Sequence, residues 1–578
     1  LTVKSKDLDS NENLLISLFS SLKAHFLLLS LSLLGLALRL HHLGGVSLWY
    51  DELLQLDIAQ GSFSRILPQL PLHSALPLDY ILLHFWVKLG HQDTWVRLPA
   101  ALFGTLAIPL TYQLGRVMFN RHVGQLAALL LTVHPFAVDY SQEARPYSLL
   151  LLLVLISYLG AWQAYRTHRW RYWGLAGVGL LGGSLSHYFA LFGWLPLGLY
   201  VSLHQIYHWR AKLYWAHTAT FALMLFILSL ALLVVGRPLI LYSVGVGFTT
   251  ALTEPTRLTL SPTEKPNRGN GPPLEIAYIS DNFLSQLATP SPLGLFIYTG
   301  CFLLATLSLI PSQATHRPAM LLLLGWLFLP CTLIYLFLLQ RGTFFAHRYI
   351  LYTLPAFLML VAQGAHLAQS YLRYKLPSKS FLTSYFLYLI LPLCQLSPLL
   401  TYYHLPAYED WRAVGQLLQA EAQPNDAIIT IRSEQTMNWY YPPATKPFLM
   451  YSNPANIQAE IDKHARRWFV LSSYSYKTDS ELRKWLEQQG AVKLAIDKRV
   501  TLYFQQKGLS QADMLAQAKQ FHLPPIPQTY AELATQFCRI KEWASCQRFY
   551  KQAIQLATTP NQQANYRAQL ATWMAKNK

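Results

Sequence analysis

Charge is what this chain has least of. Charged residues make up only 13% of its 578 positions, hydrophobic residues make up 53%, and the mean hydropathy is +0.23. That balance excludes a single soluble domain, which would carry about a quarter charged residues. Acidic groups are the scarcer sign: 28 Asp and Glu against 46 Lys and Arg, a net charge of +18. In a soluble protein that excess would suggest nucleic acid. No nucleic-acid-binding motif accompanies it, so no nucleic-acid partner is expected. The excess reads instead as basic inner loops and contacts with membrane lipids. Cysteine is nearly missing too. The five present form no Cys-x-x-Cys pair, which excludes a metal or redox motif of that kind. Cys301, Cys331 and Cys394 fall in apolar runs and read as packing residues. Cys538 and Cys546 lie eight apart in a helical tail and could meet only across a helix turn. No cleavable signal is expected either. Lys4, Lys6 and Lys23 precede a long apolar run with no clear small-residue cleavage site, so that run is expected to stay as an anchor.

What the chain does have is long apolar stretches, such as Phe26 to Leu40, Leu149 to Gly160, Thr220 to Val235 and Leu321 to Leu339. Runs near ~20 residues cross a bilayer as helices. Leu spread evenly through whole runs, without alternation, excludes a β-barrel. The chain is therefore an α-helical polytopic membrane protein of roughly eleven spans. They are expected at 24–41, 95–117, 123–140, 147–164, 171–186, 188–205, 214–235, 292–311, 319–339, 349–367 and 381–400.

With the N-terminus inside, the loops that become cytoplasmic hold Arg116, Arg121, Arg166, Arg169, Arg171, Arg210, Lys212, Arg317, Arg373, Lys375 and Lys379. The opposite short loops are poorer in Lys and Arg, as the positive-inside rule requires. This orientation puts Asp51-Glu52, Glu143-Arg145, His187 and His347-Arg348 on the non-cytoplasmic face, with everything after about residue 400.

Three regions follow: a transmembrane domain over 1–400, a small external α/β domain over 401–508, and an all-α tail over 509–578. The first outer loop, 44–94, holds Leu78 to Trp86, which reads as an amphipathic helix at the membrane interface. A second outer loop, 236–291, is rich in Pro, Gly and Asn from Ser261 to Pro273 and is expected to be mobile. In the α/β domain, helices are expected at Trp411–Glu421 and Ser480–Gln489, and strands at Ala427–Ile431, Trp468–Leu471 and Val500–Phe504. The tail spacing around Tyr530 to Ile554 resembles one tetratricopeptide-type repeat plus a capping helix. A lone repeat cannot bury its own face, so the tail must pack on something, which makes it a candidate protein-partner surface.

Carboxylates beside a membrane exit are costly to desolvate, so Leu48-Trp49-Tyr50-Asp51-Glu52 draws attention first. One acid could serve as a general base while the other orients a substrate or a divalent metal. The plainer reading is a solvated pair or a helix N-cap. In Glu143-Ala144-Arg145-Pro146-Tyr147, Pro146 fits a helix first turn, which sets Arg145 on a positive helix end. A cation belongs there if an anion such as phosphate binds beside it. An ion pair with Glu143 or Asp139 is the plainer account. His347-Arg348-Tyr349 repeats the pattern, and two such arginines on one face suggest a shared anionic ligand. Lipid phosphate binding without catalysis is the alternative. His73, Asp79 and His187 are candidate substrate contacts or ordinary interfacial residues, as are Trp49, Tyr50 and Tyr147 beside the charged groups.

These stretches resemble a known family. LWYDE at 48–52, PLDYILLHFW at 77–86, VRLPAALFGTLAIPLTYQLGRVMF at 96–119, YSQEARPYSLLLLL at 140–153 and HRYILYTLPAF at 347–357 are similar to the GT-C glycosyltransferases. The likeness is to the family 39-like group, which includes protein O-mannosyltransferases and the aminoarabinose transferase of lipid A. EDWRAVGQLL and PNDAII, within 409–429, look like the outer domain of bacterial members. The likeness covers about residues 20 to 510. One departure is His73-Ser74-Ala75-Leu76-Pro77-Leu78-Asp79-Tyr80, where relatives often carry a His-Pro-Pro-Leu-Tyr-Tyr type segment.

The resemblance implies a polyprenyl-phosphate-linked sugar as donor and a lipid, glycan or protein as acceptor. Asp51 matches the catalytic aspartate, and Glu143 matches the second acidic position. Arg145 and Arg348, flanked by His347 and Tyr349, would bind the donor phosphate. It implies an inverting transfer at the outer face of the cytoplasmic membrane. A divalent metal at Asp51-Glu52 stays open, since no ligand set is evident. The rival is a non-enzymatic flippase or lipid-handling component, and a third reading is a scaffold organised by the tail. The rival calls for charges lining a path inside several spans, whereas here they gather at one face.

Overall fold

A computed structural model describes residues 25–70, 75–208, 210, 212–243, 285–310, 316–341, 345–375, 381–404, 409–430, 434–441, 448–450, 462–472, 476–497 and 499–575. The described helices of the first two-thirds are α1 (His25–Leu40), α2 (Tyr50–Gln60), α3 (Phe63–Gln69), α4 (Pro77–Trp86), α5 (Asp93–Met118), α6 (Arg121–Val133), α7 (Pro135–Asp139), α8 (Tyr147–Thr167), α9 (Arg171–Ser186), α10 (Ala190–Tyr207), α11 (Lys212–Ser243), α12 (Pro292–Leu307), α13 (Arg317–Arg341), α14 (Leu354–Lys375) and α15 (Phe381–Tyr403). The chain forms two compact units, 1–43 with 61–405, and 44–60 with 406–578. Helix α2 thus belongs with the C-terminal part of the chain.

In the first unit each expected span overlaps a described helix. Among the described residues, four helices are long and apolar enough to cross a membrane: Tyr147–Thr167, Arg317–Gln340, His347–Lys375 and Phe386–Tyr403. His25–Leu40, Trp215–Ala231 and Pro292–Leu307 are shorter apolar helices. Side chains such as Phe226, Phe296 and Leu393 point outward and are more than half exposed, as hydrocarbon-facing residues are.

Local chemistry sets the helix ends. Asn120 caps α6 by accepting from the N–H groups of His122 and Val123. The run expected as one span over 123–140 breaks at His134, because Pro135 has no N–H to continue the ladder and starts α7 instead. The expected span opening at Tyr349 begins with a 3-10 stretch, His347–Thr353. Pro355 cannot donate to the Leu351 carbonyl, so α14 starts only at Leu354.

Between α8 and α9 two glycines let the backbones approach closely. A Cβ on Gly160 would stand 2.6 Å from the Ala176 nitrogen, and one on Gly179 would stand 2.4 Å from the Leu153 oxygen. Small residues at crossing points are how helices associate without a hydrophobic drive between them. The Ser157 hydroxyl bridges the same seam to the Ala176 carbonyl at 2.7 Å. Behind it, Tyr158 stacks on Trp326 at 3.9 Å and donates to the Gly193 carbonyl. Helix α4 packs against α9 at the position of the expected interfacial helix, burying Tyr80 and Leu83 and exposing Leu82 and Phe85.

The second unit contains α16 (Trp411–Glu421), α17 (Glu434–Tyr440), α18 (Tyr476–Gln488), α19 (Gln511–Ala518), α20 (Pro527–Arg539), α21 (Trp543–Leu556) and α22 (Pro560–Ala575). Its strands are β1 (Ala427–Thr430), β2 (Phe448–Met450), β3 (Arg466–Ser472), β4 (Val492–Ala495) and β5 (Val500–Gln506). They form one sheet in the order β2-β1-β3-β5-β4. The β1 strand pairs in parallel with β2 and β3, while β5 runs antiparallel to β3 and β4. The strands β1, β3 and β5 are buried along nearly their whole length, as a sheet covered on both faces requires. Strands β2 and β4 have no counterpart in the expected set, being only 3 and 4 residues long.

The tail packs on this sheet. Gln536 of α20 accepts from the Lys493 N–H at 3.0 Å and donates to its carbonyl at 2.7 Å, so one side-chain amide pairs with the backbone of edge strand β4. Thr529 donates to the Ala495 carbonyl at 2.7 Å, and Lys493 pairs with Glu532 at 3.5 Å. An edge that would otherwise invite another strand is covered. Cys538 and Cys546 form a disulfide that joins α20 to α21. The second outer loop, expected at 236–291, lies mostly outside the described residues.

Candidate active site

In the first unit the segment between α7 and α8 brings most of the expected residues together. Its backbone is held by polar side chains that have no apparent chemical task. Gln142 donates to the carbonyls of Arg39 and His41 at 2.9 and 2.6 Å and accepts from the Tyr402 hydroxyl at 2.7 Å. Ser148 donates to the Tyr140 carbonyl at 2.8 Å. Arg39 is fully buried, and its Nε donates to Ser141 Oγ at 3.1 Å. Its other nitrogens reach the carbonyls of Gly35, Leu131 and Thr132 at 3.1, 3.3 and 3.4 Å. Leu131 and Thr132 lie in the last turn of α6, where carbonyls are orphaned and the helix dipole is negative. A cation inside the apolar core is thereby balanced by a helix end. Arg39 was missed by the sequence reading, although a charge at the end of an apolar run was a usable signal.

On this frame sit Glu143 and Arg145, both half-buried, with Pro146 at the N-cap of α8 and Tyr147 at its first position. Arg348 arrives from the 3-10 stretch. Its guanidinium carbon lies 5.9 Å from the Tyr147 ring and 5.8 Å from the Tyr349 ring, within the range of cation–π attraction. The positive end of α14 lies further along, at Leu354, so the expected placement of Arg348 on an α-helix terminus is replaced by two aromatic faces. Tyr140 lies in the fields of Glu143, Asp139 and Arg348, and its ring meets that of Tyr147 edge-on at 5.4 Å.

His187 joins the group from the α9–α10 connector, with its ring 5.7 Å from Tyr147 and 6.1 Å from Tyr349. Burial, then the charges of Arg145 and Arg348, push its imidazolium down to about 3, so it is neutral at physiological pH. Its Nδ1 accepts from the Phe189 N–H at 3.2 Å, which leaves the proton on Nε2. His347 lies beside Phe345. Glu143, Arg145, Tyr147, His187, Arg348 and Tyr349 therefore form one cluster of two cations and aromatic walls, suited to an anion. Asp79 lies on α4, and His73 lies outside the described residues.

The second unit holds the other acidic pair. Trp49 precedes α2, and Asp51 and Glu52 lie in its first turn. Glu52 is fully buried, and its Oε2 accepts from the Trp49 N–H at 3.1 Å, the helix-capping contact. Asp51 is half-buried. The Tyr50 N–H donates to Glu409 Oε2 at 2.9 Å, and Glu409 also accepts from Trp411 Nε1 at 3.0 Å and pairs with Arg499 at 3.3 Å. The approach to α2 is pinned as well: the Leu48 N–H donates to the Tyr440 hydroxyl at 2.8 Å, and Arg412 donates to the Gly44 carbonyl at 2.9 Å. Asp497 accepts from the N–H groups of Asp410, Arg499 and Val500 at 2.6, 2.6 and 2.8 Å. Burial pushes its carboxyl up to about 6 against those three bonds, and the charge of Glu409 adds to the rise.

No group of three or more His, Cys, Asp or Glu placed to hold a metal ion occurs among the described residues.

The comparisons with known proteins agree on the fold. Residues 74–231 match the family model described as dolichyl-phosphate-mannose-protein mannosyltransferase. The structure is similar to ArnT from Cupriavidus metallidurans in the apo state, with a TM-score of 0.52 and 14% identity, over 84% of this chain and 98% of that one. It is similar to the same protein bound to undecaprenyl phosphate, with a TM-score of 0.51 and 13% identity, over 83% and 98% of the two chains. A comparison with curated protein sequences finds no match. The chain thus has the GT-C fold that its motifs resemble, with a small α/β unit and a helical tail.

Proposed function

We propose that this protein is an inverting glycosyltransferase that moves a sugar from a polyprenyl phosphate to an acceptor hydroxyl or amine. The observation that carries the reading is the Arg145–Arg348 cluster, walled by Tyr147 and Tyr349 and completed by a neutral His187. It stands in a fold shared with a protein whose solved structure holds undecaprenyl phosphate. In the reaction the acceptor heteroatom attacks the anomeric carbon as the bond from that carbon to the phosphate oxygen breaks. Asp51 takes the acceptor proton. The electron pair of the broken bond goes to the lipid phosphate, which leaves as a monoester. Arg145 and Arg348 offset the growing charge without protonating it. A neutral His187 can donate a hydrogen bond to a phosphate or sugar oxygen without adding a third cation. Attack from the face opposite the leaving group inverts the anomeric centre.

The site is assigned to the non-cytoplasmic side of the cytoplasmic membrane. Two features support this: the bias of Lys and Arg toward the other loops, and the Cys538–Cys546 disulfide, which persists in an oxidising compartment.

The test is sugar transfer in isolated membranes carrying either wild type or Asp51→Asn, supplied with a panel of radiolabelled polyprenyl-phosphate sugars. Label leaving the donor lipid with wild type, and not with an equally abundant variant, is the expected result. Equal transfer by both removes Asp51 from the mechanism. A panel that wild type leaves untouched favours a lipid-handling protein.

A further inference from the structure

The C-terminal unit reaches Asp51 through one residue outside the expected set. Helix α2 starts at Tyr50, so the N–H groups of its first turn have no partners within the helix. Two carboxylates meet that end. Glu52 turns back to the Trp49 N–H, and Glu409, 359 positions away in sequence, accepts from the Tyr50 N–H. Glu409 is 1% exposed, which makes a lone carboxylate there costly. Each of its oxygens is engaged: Oε2 takes the Tyr50 N–H and the Trp411 indole N–H, and Oε1 takes Arg499. Arg499 and the Asp410 backbone are held in turn by Asp497. Such a chain of charge-assisted bonds is out of proportion to closing one helix end, for which Ser or Asp as a local cap would suffice. It ends on the residue immediately before Asp51.

We propose that Glu409 is a positioning residue for sugar transfer, because its carboxylate fixes the N-terminus of the helix that carries Asp51. The inference rests on the assignment of Asp51 as the base. Glu409 touches no reacting atom. It sets where Asp51 stands, and the Glu409–Arg499–Asp497 cluster makes the α/β unit part of the catalytic apparatus. A displacement of ~1 Å at a reacting group costs on the order of 10²-fold in rate.

The experiment compares Glu409→Ala and Glu409→Gln in the full-length protein, with Asp51→Asn alone and combined with Glu409→Ala. The donor is whichever labelled polyprenyl-phosphate sugar wild type consumes, and rates are normalised to donor-lipid binding sites. Glu409→Ala should lower kcat about 10²-fold with KM for the donor within about twofold. Glu409→Gln, which keeps an oxygen for the Tyr50 N–H, should recover most of that loss. On the residual rate of Asp51→Asn, adding Glu409→Ala should change less than about twofold, since a residue acting through Asp51 has nothing left to position. Hydrogen exchange of the 48–60 amides should quicken in Glu409→Ala. Unchanged exchange at 48–60, or an equal further loss in the Asp51→Asn background, overturns the inference. An Asp51→Asn enzyme as active as wild type overturns the underlying assignment of the base. An inactive one beside a fully active Glu409→Ala overturns this inference alone.

Discussion

The α8–α9 seam offers a matched pair of substitutions with opposite expected signs. Gly174 and Gly179 lie on the same helix, five residues apart. A Cβ on Gly174 meets nothing within 4 Å, whereas one on Gly179 stands 2.4 Å from the Leu153 oxygen, 2.7 Å from the Ser157 nitrogen and 2.9 Å from the Ser157 hydroxyl. The first two of those atoms are backbone, so no rotamer change relieves the clash. Reaching an ordinary contact of 3.4 Å requires the helices to part by about 1 Å. They cannot pivot about Gly160, because the backbones are already in close approach there: a Cβ on Gly160 would stand 2.6 Å from the Ala176 nitrogen. Overpacking of this kind costs about 1–3 kcal/mol, from which better helix propensity returns at most about 1 kcal/mol. Gly174→Ala keeps only the return. In detergent, Gly179→Ala should unfold at a lower temperature than wild type and Gly174→Ala at the same or a higher one. The seam also sets the spacing of Tyr147, at the start of α8, from His187, at the end of α9. Gly179→Ala should therefore lose about 10–100-fold in transfer rate, while Gly174→Ala keeps the wild-type rate. Equal stability and equal activity of the two variants would refute the reasoning.

The charge on Arg348 and its planar fork are separable. Lys keeps the charge and loses the paired donors, so Arg348→Lys should lower kcat/KM about 10–100-fold and Arg348→Ala by ~10³-fold or more. An Arg348→Ala enzyme within about fivefold of wild type in the labelled-donor assay removes it from phosphate binding. Asp497 gives the C-terminal unit a pH dependence. Its carboxyl is raised from 3.8 to about 6 in the fold, so the folded state holds the proton more tightly than the unfolded chain. The associated stability is fully present below 3.8 and is lost as pH rises through about 6, a change on the order of 3 kcal/mol. Denaturant unfolding followed by Trp fluorescence at about pH 5 and about pH 7 should show about 1 kcal/mol of that fall, and Asp497→Asn should flatten it. A variant with the wild-type slope excludes Asp497 as its source.

How much of this was legible in the sequence follows from the range of the forces involved. Helical spans follow from the order of apolar and charged residues alone, because bilayer thickness and backbone desolvation act on every segment separately. Trp411–Glu421 and Val500–Phe504 were readable for the same reason, each carrying its own period. Strand β1, also 4 residues, was marked by Ile428 and Ile429, whereas β2 (Phe-Leu-Met) and β4 (Val-Lys-Leu-Ala) carry almost no β-branched residues and no period. Pro135 and Pro355 were visible, and their effect on the adjoining helix starts could have been read from the missing N–H.

The site divides along the same line. By itself the sequence determined which residues are candidates for chemistry, since carboxylates, arginines and histidines at the ends of apolar runs stand out through the cost of burying them. Only the tertiary structure decided how they are used. It turned Glu52 back on its own helix, set Arg348 between Tyr147 and Tyr349, and kept His187 neutral beside two arginines. It also brought Glu409 to Tyr50 and Arg39 to the end of α6. Apart from the local Glu52–Trp49 contact, each of those outcomes joins groups tens to hundreds of residues apart, and no local propensity encodes a contact whose two halves meet only after the chain has packed.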